Sequence, residues 1–388
     1  MRSLLFSPAR FPAGGEILST NLDRHPTILR HNPLFSKAAI ISDRKEVIGT
    51  ELNNKTPEIS LIIPVYNVEK YLRKTLKSVE NQTFKDFEVI IINDGSTDNS
   101  IEIINEFADR NKKFTVINQD NKGPSEARNK GISISKGNYI AFMDSDDYIE
   151  KNFLEVLYKN AIKHEADIVC CNFNFYYPEN KLKIYMPLIP LPGIYTGAKA
   201  LKKLILDISV HHFVWNKLYK RSLFIDKGVR FYDMYFEDIA TSPRLFYYAE
   251  KVVLLGRALY NYTSRKSSIL GNINYKKIND FVSALGTIRN FLENKNVYKK
   301  YKNHIWVYSQ KTKIVCYYYI LQMHTKFSNF DGFLKNISAV NKSIDYFISG
   351  KYVPHENIHI PNLICSVKQP VKKHQIKVKK KNGVSPKI

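Results

Sequence analysis

From residue 57 onward, short apolar runs alternate with longer segments whose apolar positions recur every three or four residues. The runs Ile59–Val65 and Phe87–Ile92 have the length and composition of strands buried on both faces of a parallel sheet. The segments Glu69–Asn81 and Ser100–Asp109 carry their apolar residues on one helical stripe, which predicts helices packed on that sheet. This alternation predicts an α/β domain with a mostly parallel, doubly wound sheet and helices on both faces.

The same patterning extends these predictions along the chain. Prolines at 178, 187, 190 and 192 indicate a loop or an edge hairpin between the later elements, and the pattern beyond about residue 275 is helical and rich in tyrosine. The other expected strands are Phe114–Ile117, a central strand from Tyr139, Asp167–Phe173, Val229–Tyr232 and Lys251–Leu255; the other expected helices begin at Gly123 or span Phe153–Lys163, Ala198–Leu206 and Glu237–Ala249.

Three carboxylates, Asp144, Asp146 and Asp147, follow the apolar run that begins at Tyr139. Alternate residues of an extended segment point the same way, so the side chains of Asp144 and Asp146 can converge on one point. In open α/β sheets ligands lie beyond the carboxyl ends of the strands, where carboxylate oxygens suit Mg²⁺ or Mn²⁺ shared with a substrate phosphate. The alternative is an acidic turn that caps the next helix. Spacing alone supports the metal site and the capping turn equally.

Composition narrows the class of protein and of partner. A chain of 388 residues, 44% of them hydrophobic, can bury a sizeable core, and its formal charge of +23 favours nucleic acid, an anionic membrane face or phosphorylated substrates as partners. The four cysteines have no metal-binding spacing, and the adjacent Cys170 and Cys171 fit buried thiols in a reducing compartment. The chain has no apolar run of about 18 residues and no signal-peptide pattern, so a cytoplasmic location is expected.

The first two predicted strands end in residues suited to a nucleotide. Pro64 ends ladder donation at the tip of the first strand, and Tyr66 can stack on a base, although a packed tyrosine in a strand-ending turn fits equally well. Asp94, at the tip of the second strand, can accept a hydrogen bond from a base or a ribose hydroxyl, and Gly95 permits the turn that follows. No G-x-G-x-x-G or Walker motif follows either strand, which disfavours a nicotinamide enzyme.

Five motifs stand in order at the predicted strand ends: Pro64-Val-Tyr-Asn, Asn93-Asp-Gly-Ser-Thr-Asp, Gly123-Pro-Ser-Glu-Ala-Arg-Asn-Lys-Gly, Gly137-Asn-Tyr-Ile and Met143-Asp-Ser-Asp-Asp. Together they resemble a family 2 glycosyltransferase of the GT-A fold, the kind found in bacterial capsule, lipopolysaccharide and cell-wall glycan synthesis. The resemblance implies a nucleotide-sugar donor, usually a UDP-sugar, and transfer of a hexosyl or N-acetylhexosaminyl group with inversion at the anomeric carbon.

The resemblance also assigns a nucleotide-binding role to five residues of this sequence. It implies that the uridine is lined by Pro64, Val65 and Tyr66. Asp94 is expected to accept a hydrogen bond from the uracil ring, and Arg128 is expected to help hold the nucleotide.

The family's D-x-D motif falls on Asp144-Ser145-Asp146. The resemblance makes Asp146 the main ligand of Mn²⁺ or Mg²⁺ and places Asp144 toward the ribose or the metal's water shell, with Asp147 orienting both. The chemistry accounts for the need, since negative charge grows on the nucleoside diphosphate as it leaves and a divalent cation stabilises that charge.

A general base is also needed to take the proton of the acceptor hydroxyl. Tyr235-Phe-Glu-Asp238 resembles the family's Glu-Asp pair, so Asp238 is the expected base with Glu237 beside it, although acidic residues at a helix start often only satisfy the helix dipole. In the flanking segments Trp215 is expected either to stack on a sugar or to pack on the sheet, and Lys217 to meet an acceptor phosphate. Arg265 or Lys266 is expected to close over the diphosphate, and His211 and His212 are expected to be ordinary surface or core histidines.

With this resemblance the chain divides into four parts. They are a poorly ordered extension at 1–56, a GT-A catalytic domain at 57–272 with a nucleotide-binding half (57–150) and an acceptor and base half (151–272), a helical region at 273–350, and a basic tail at 351–388.

Two other functions remain open, each motivated by the basic charge. One is nucleic-acid binding, which the absence of an RNA-binding signature disfavours, and the other is an inactive membrane-associated scaffold, which the intact acids at 144, 146 and 238 disfavour. The expected partners are a UDP-sugar and a glycan or lipid-linked acceptor, with no nucleic acid. The lysine-rich tail is expected to bind the anionic inner face of the plasma membrane.

Overall fold

The computed structural model describes residues 56–186, 191–265, 274–324 and 330–349. The predicted extension at 1–56, except for Thr56, and the predicted basic tail lie outside the described residues, as does Lys266.

The described elements alternate in the predicted way up to residue 177. The strands are β1 (Ile59–Val65), β2 (Phe87–Asp94), β3 (Phe114–Gln119), β4 (Tyr139–Phe142), β5 (Tyr148–Ile149), β6 (Ile168–Tyr177), β7 (Leu182–Met186), β8 (Gly193–Thr196), β9 (Lys217–Lys220) and β10 (Lys251–Thr263). The helices are α1 (Glu69–Glu80), α2 (Ser100–Arg110), α3 (Gly123–Ile134), α4 (Phe153–His164), α5 (Gly197–Leu206), α6 (Ser222–Ile225), α7 (Glu237–Tyr248), α8 (Tyr275–Asn294), α9 (Tyr298–His324) and α10 (Phe330–Ser349).

The strands form one mixed sheet in the order β3-β2-β1-β4-β9-β6-β10-β5, with β7 paired to β6 and β8 paired to β10. The four strands β3, β2, β1 and β4 are parallel, as predicted for the first half of the domain. In the second half β9 runs antiparallel to both β4 and β6, while β10 is parallel to β6. The carboxyl ends of β1, β2 and β4 therefore open on the same edge of the sheet.

Pro64 lies inside β1, a strand with a neighbour on each side. Its register partner on β2 is Ile92, whereas the pairing of β1 with β4 ends two residues earlier, at Ile62 and Phe142. A proline is tolerated there because the ladder on the β4 side no longer needs a donor.

Gly131 allows α3 to approach the sheet closely. A Cβ atom at this position would lie 2.4 Å from Cγ2 of Ile62, a fully buried residue of β1. Gly131 therefore has a packing role, because its lack of a side chain lets α3, the helix that carries Arg128, pack closely on β1.

The predicted strand at Val229–Tyr232 is wrong. The segment has buried apolar residues, but the side-chain amide of Asn129 takes the backbone groups of Phe231, accepting from its N–H and donating to its C=O at 2.9 Å in each case. A strand needs a neighbouring strand for these groups, and here one side chain replaces it. The segment Trp215–Phe224, for which no strand was predicted, contributes β9 instead.

Helices α8, α9 and α10 form the predicted helical region. Helix α8 packs against α7, and α9 packs against α5 as well as against α8 and α10. The guanidinium of Arg289 on α8 also donates to the backbone C=O of Phe347 on α10. In the described part of the chain, no helix combines the length and apolar character needed to cross a membrane.

Candidate active site

The acidic turn after β4 is held in place by Asp147. Its buried carboxylate accepts hydrogen bonds from the Tyr260 hydroxyl at 2.8 Å and from the Thr263 backbone N–H at 2.7 Å, both on β10. The Tyr260 hydroxyl in turn accepts from the backbone N–H of Asp144 at 3.1 Å. Burial, with the nearby charges of Asp146 and Asp144, raises the pKa of Asp147 well above its usual value. Asp147 thus ties the turn that carries the other two carboxylates to β10.

Arg128 links two motifs that are far apart in sequence. Its buried guanidinium donates through Nη2 to Oδ1 of Asp144 at 2.9 Å and through Nη1 to Oε1 of Glu237. Burial disfavours the charged guanidinium, but the two carboxylates outweigh this effect, and the pKa of Arg128 is raised above its ordinary value. The end of β4 and the start of α7 are therefore joined through one buried cation.

Asp146 faces a second arginine. Oδ2 of Asp146 lies 2.6 Å from Nε of Arg265, which follows β10, in an ion pair that lacks the angular geometry of a hydrogen bond. Burial raises the pKa of Asp146 to about 6, with Asp144 adding to the shift and Arg265 opposing it. Each acid of the D-x-D motif is thus neutralised by an arginine of the chain itself.

The expected base stands at the first turn of α7. Phe236, the residue just before α7, has a left-handed backbone with φ +62°, which is a strained conformation for a bulky residue. This conformation turns the chain into the helix. Burial of the carboxyl, together with the neighbouring charge of Glu237, raises the pKa of Asp238 to about 7. Oδ1 of Asp238 accepts from the backbone N–H of Ile239 at 2.8 Å. A carboxyl with such a pKa is suited to accept a proton near neutral pH.

Helix α8 supports this strained turn from outside the predicted catalytic domain. Oδ2 of Asp280 accepts a hydrogen bond from the backbone N–H of Tyr235 at 2.9 Å, and the ring of Phe281 packs on the ring of Phe236 at 5.0 Å. Sequence reasoning did not find these two supporting residues. The only available signal was an acidic and an aromatic residue on a helix of unassigned role.

The residues expected to bind the nucleotide differ in how accessible they are. The ring of Tyr66 is 47% exposed and available for stacking, whereas the side chain of Val65 is fully buried in the core and leaves only its backbone to contact a ligand. The carboxylate of Asp94 already accepts hydrogen bonds from Gln119 at 2.7 Å and from the backbone N–H groups of Lys122 and Gly123 at 2.9 and 2.8 Å. Asp94 therefore closes the loop before α3, and its expected contact with uracil stays a prediction.

The expected contact of Lys217 with an acceptor phosphate is wrong. Lys217 is 1% exposed, and its ammonium donates to the backbone carbonyl of His211 at 2.9 Å, to Oδ1 of Asn216 at 2.7 Å and to the carbonyl of Phe213. Burial lowers the pKa of Lys217. The Lys217 ammonium therefore holds the loop before β9 together and is shielded from solvent.

The other aromatic and histidine residues of this segment are core residues. The ring of Trp215 stacks on that of Tyr260 at 4.4 Å, which supports sheet packing over sugar stacking. His211 and His212 are buried, as expected for core histidines, with Nδ1 of His211 2.6 Å from Oδ1 of Asp207. Burial lowers the pKa of His212 to about 3.

The donor set fits a cation shared with a substrate better than a closed metal site. Among the described residues, no group of three or more His, Cys, Asp or Glu side chains is placed to hold a metal ion. Asp144 and Asp146 supply hard carboxylate oxygens, and Mg²⁺ is often bound by one or two carboxylates together with water and substrate phosphates. The two residues therefore fit Mg²⁺ or Mn²⁺ that arrives with a diphosphate.

Comparison with known proteins identifies the family of this chain. The model for Glycosyl transferase family 2 matches residues 60–226. The putative glycosyltransferase EpsH of Bacillus subtilis is 33% identical over 255 residues, which cover 65% of this chain and 74% of that protein. The cholesterol galactosyltransferase of Borreliella burgdorferi is 33% identical over 258 residues, which cover 63% of this chain and 72% of that protein. The chain belongs to glycosyltransferase family 2, and it is a glycosyltransferase.

Two further comparisons concern length and fold. Glycosyltransferase GlyA of Streptococcus pneumoniae is 34% identical over 265 residues, which cover 66% of this chain and 37% of that protein, so the chain matches only about a third of that relative. The crystal structure of S. aureus TarS 1-349 in complex with UDP-GlcNAc has a TM-score of 0.52 and 18% identity, covering 75% of this chain and 90% of that one. This likeness agrees with the GT-A fold expected from the sequence.

Proposed function

We propose that the protein transfers a hexosyl or N-acetylhexosaminyl group from a UDP-sugar to a glycan or lipid-linked acceptor in the synthesis of a bacterial surface polysaccharide, with inversion at the anomeric carbon. The observation that carries the proposal is Arg128, which holds an acid of the D-x-D motif and the acid beside the base on one guanidinium. The complex of S. aureus TarS with UDP-GlcNAc supports the choice of a UDP-sugar donor, and the bacterial glycosyltransferases GlyA and EpsH support the reaction class.

In this proposal the nucleotide lies at the carboxyl ends of β1 and β2. The exposed ring of Tyr66 stacks on the uracil, with the backbone around Pro64 and Val65 along its edge. Asp94 accepts from the uracil ring with the acceptor capacity that its three present hydrogen bonds leave. This places the diphosphate toward the acidic turn after β4.

Asp146 and Asp144 are the proposed ligands of Mg²⁺ or Mn²⁺, with Ser145 setting the spacing between them. The bound cation would supply charge to the oxygens of the departing diphosphate. Arg265 lies against Asp146, and its proposed role is to turn from this carboxylate to the diphosphate when the donor binds. Arg128 stays with Asp144 and Glu237 and keeps the two acids at a fixed separation.

Asp238 is the proposed general base. Its Oδ2 accepts the proton of the acceptor hydroxyl while that oxygen bonds to the anomeric carbon, and the bond from the same carbon to the diphosphate oxygen breaks on the opposite face. Glu237 is the proposed positioning partner, because its carboxylate is bound to Arg128 and raises the pKa of Asp238. A base with a pKa near the working pH contributes roughly 10²- to 10⁴-fold to the rate.

The domain division remains part of the proposal. Residues 57–272 would form the catalytic domain, with the donor held by 57–150 and the acceptor and base by 151–272, and 273–350 would support the base. The proposed location is cytoplasmic, at the inner face of the plasma membrane. Nucleic-acid binding and an inactive scaffold are less well supported, because neither requires Arg128 to join these acids.

A donor screen tests this proposal directly. Purified protein is incubated with a panel of UDP- and GDP-sugars in Mn²⁺, in Mg²⁺ and in EDTA, and release of the nucleoside diphosphate is measured. Release from one UDP-sugar that stops in EDTA and returns with added metal is the expected result. Absence of release from every donor, together with binding to RNA that depends only on phosphate number and salt, would support the nucleic-acid alternative.

A further inference from the structure

In the part of the chain that the structure describes, the outward face of α9 carries large exposed apolar side chains. Trp306, Val307, Ile314 and Leu321 are 54, 47, 66 and 48% exposed. Val307, Ile314 and Leu321 recur every seven residues, so they lie on one face of the helix, with Trp306 beside them. The stripe from Val307 to Leu321 extends over about 21 Å at the rise of an α-helix.

These residues are not part of the packing of α9 on the protein. The buried face of the helix has its own apolar set, which packs toward α5, α8 and α10: Ile305, Tyr308, Cys316 and Ile320. The inner set fills that contact, whereas among the described residues the outer set leaves about half or more of each side chain exposed. Contiguous exposed apolar area of this kind marks an interaction surface.

The charge along the same helix indicates what the surface binds. The sequence of α9 contains five lysines and no acidic residue. Lys299, Lys300 and Lys302 are exposed at its amino-terminal end, one turn from Trp306, while Lys311 and Lys313 pair with Asp207 and Asp345. On a helical projection, Lys302 and Lys313 border the apolar stripe on one side and Lys300 and Lys311 border it on the other.

We propose that this face of α9 docks on an anionic lipid bilayer, with the helix in the plane of the surface. A helix that presents tryptophan and aliphatic side chains between lysines buries its apolar face at the headgroup boundary and pairs its cations with anionic lipids. A second copy of the chain, which carries the same lysines, would bring like charges together at this face. This surface contains none of the proposed catalytic residues, so the test of membrane docking does not depend on the proposed reaction.

The two tryptophans give a test specific to this face. Trp306 is 54% exposed and Trp215 only 5%, so quenching of tryptophan fluorescence by brominated lipids in phosphatidylglycerol vesicles should report Trp306 entering the bilayer. The expected result is strong quenching in the full-length protein that disappears in Trp306→Phe. Vesicle binding without quenching would show that another segment, such as the basic tail, makes the contact, and would overturn the proposal.

Matched variants complete the test. Trp306→Ser combined with Ile314→Ser should weaken binding to phosphatidylglycerol vesicles by at least about tenfold. Ile162→Ser, which removes an isoleucine of α4 that is 51% exposed, should leave vesicle binding unchanged. Replacing Lys299, Lys300 and Lys302 by glutamine should cost about fivefold per lysine at low salt. All variants should release UDP in solution like the parent; vesicle binding unchanged by the double substitution, or a dimer that it converts to a monomer, would overturn the proposal.

Discussion

The carboxylate of Asp280 accepts a hydrogen bond from the backbone N–H of Tyr235 at 2.9 Å, three residues before the proposed base. Asp280 belongs to α8 in the helical region, whereas Tyr235 opens the strained turn into α7. A non-glycine residue in a left-handed conformation persists only when its surroundings hold it. The helical region therefore supports the turn that carries the proposed base, which its sequence did not indicate.

Asp280→Ala should lower kcat by about tenfold, because the loss of this partly buried acceptor costs about 1–3 kcal/mol and lets the turn at Phe236 relax. The affinity for UDP should remain unchanged, since the nucleotide end of the site is formed by other elements. Steady-state kinetics and calorimetric UDP binding measure the two quantities. Asp280→Asn retains an acceptor oxygen and should behave like the parent, as should Asp345→Ala on α10; equal losses in all three variants would contradict the supporting role.

Arg128→Leu should destabilise the protein by about 3–5 kcal/mol, because it leaves Asp144 and Glu237 without their shared cation. Urea unfolding at neutral pH measures this loss. Arg110→Leu is the matched control: Arg110 also contacts two carboxylates, those of Glu80 and Glu106, but its side chain is 42% exposed, so little change is expected. A similar small effect for both substitutions would show that Arg128 does not join the two motifs in solution.

The rate should depend on the protonation of Asp238, whose pKa is raised to about 7. Below that pKa the carboxyl is protonated and cannot accept the proton of the acceptor, so kcat/KM should rise as the pH increases and level off above about 7. Asp238→Asn should lose roughly 10²- to 10⁴-fold in rate together with this acid limb. A profile that is flat between pH 5 and 8 in the parent, at constant metal saturation, would exclude Asp238 as the base.

Much of the fold is predictable from the sequence because buried parallel strands leave a strong local signal. The apolar runs of β1 and β2, and the helical stripes of α1 and α2, appear in the structure close to their predicted bounds. Val229–Tyr232 shows the limit of this reasoning, since its apolar pattern is satisfied by burial while its backbone pairs with the side chain of Asn129. Apolar patterning reports burial and carries no information on the hydrogen-bond partner.

The contacts of the site were less predictable, because they join residues distant in the chain. Arg128 and Glu237 are 109 residues apart, and no spacing rule connects them. Lys217 illustrates the opposite error, since a lysine in a basic and aromatic segment indicated a surface contact, whereas three oxygens of the chain hold it in the interior. The motifs placed the acids at strand and helix ends. Only the fold shows that Arg128 pairs with Asp144 and Glu237 and that Arg265 pairs with Asp146.

We propose that Asp146 and Asp238 act in one pocket, Asp146 on the departing nucleotide and Asp238 on the acceptor. The most direct measurement is transfer of labelled sugar to acceptor by the parent, Asp146→Ala and Asp238→Asn across a Mn²⁺ titration. We expect parent activity to disappear in EDTA, Asp146→Ala to require far more metal or to remain inactive, and Asp238→Asn to bind UDP normally yet fail to transfer. Transfer by both variants at the parent rate would contradict the account.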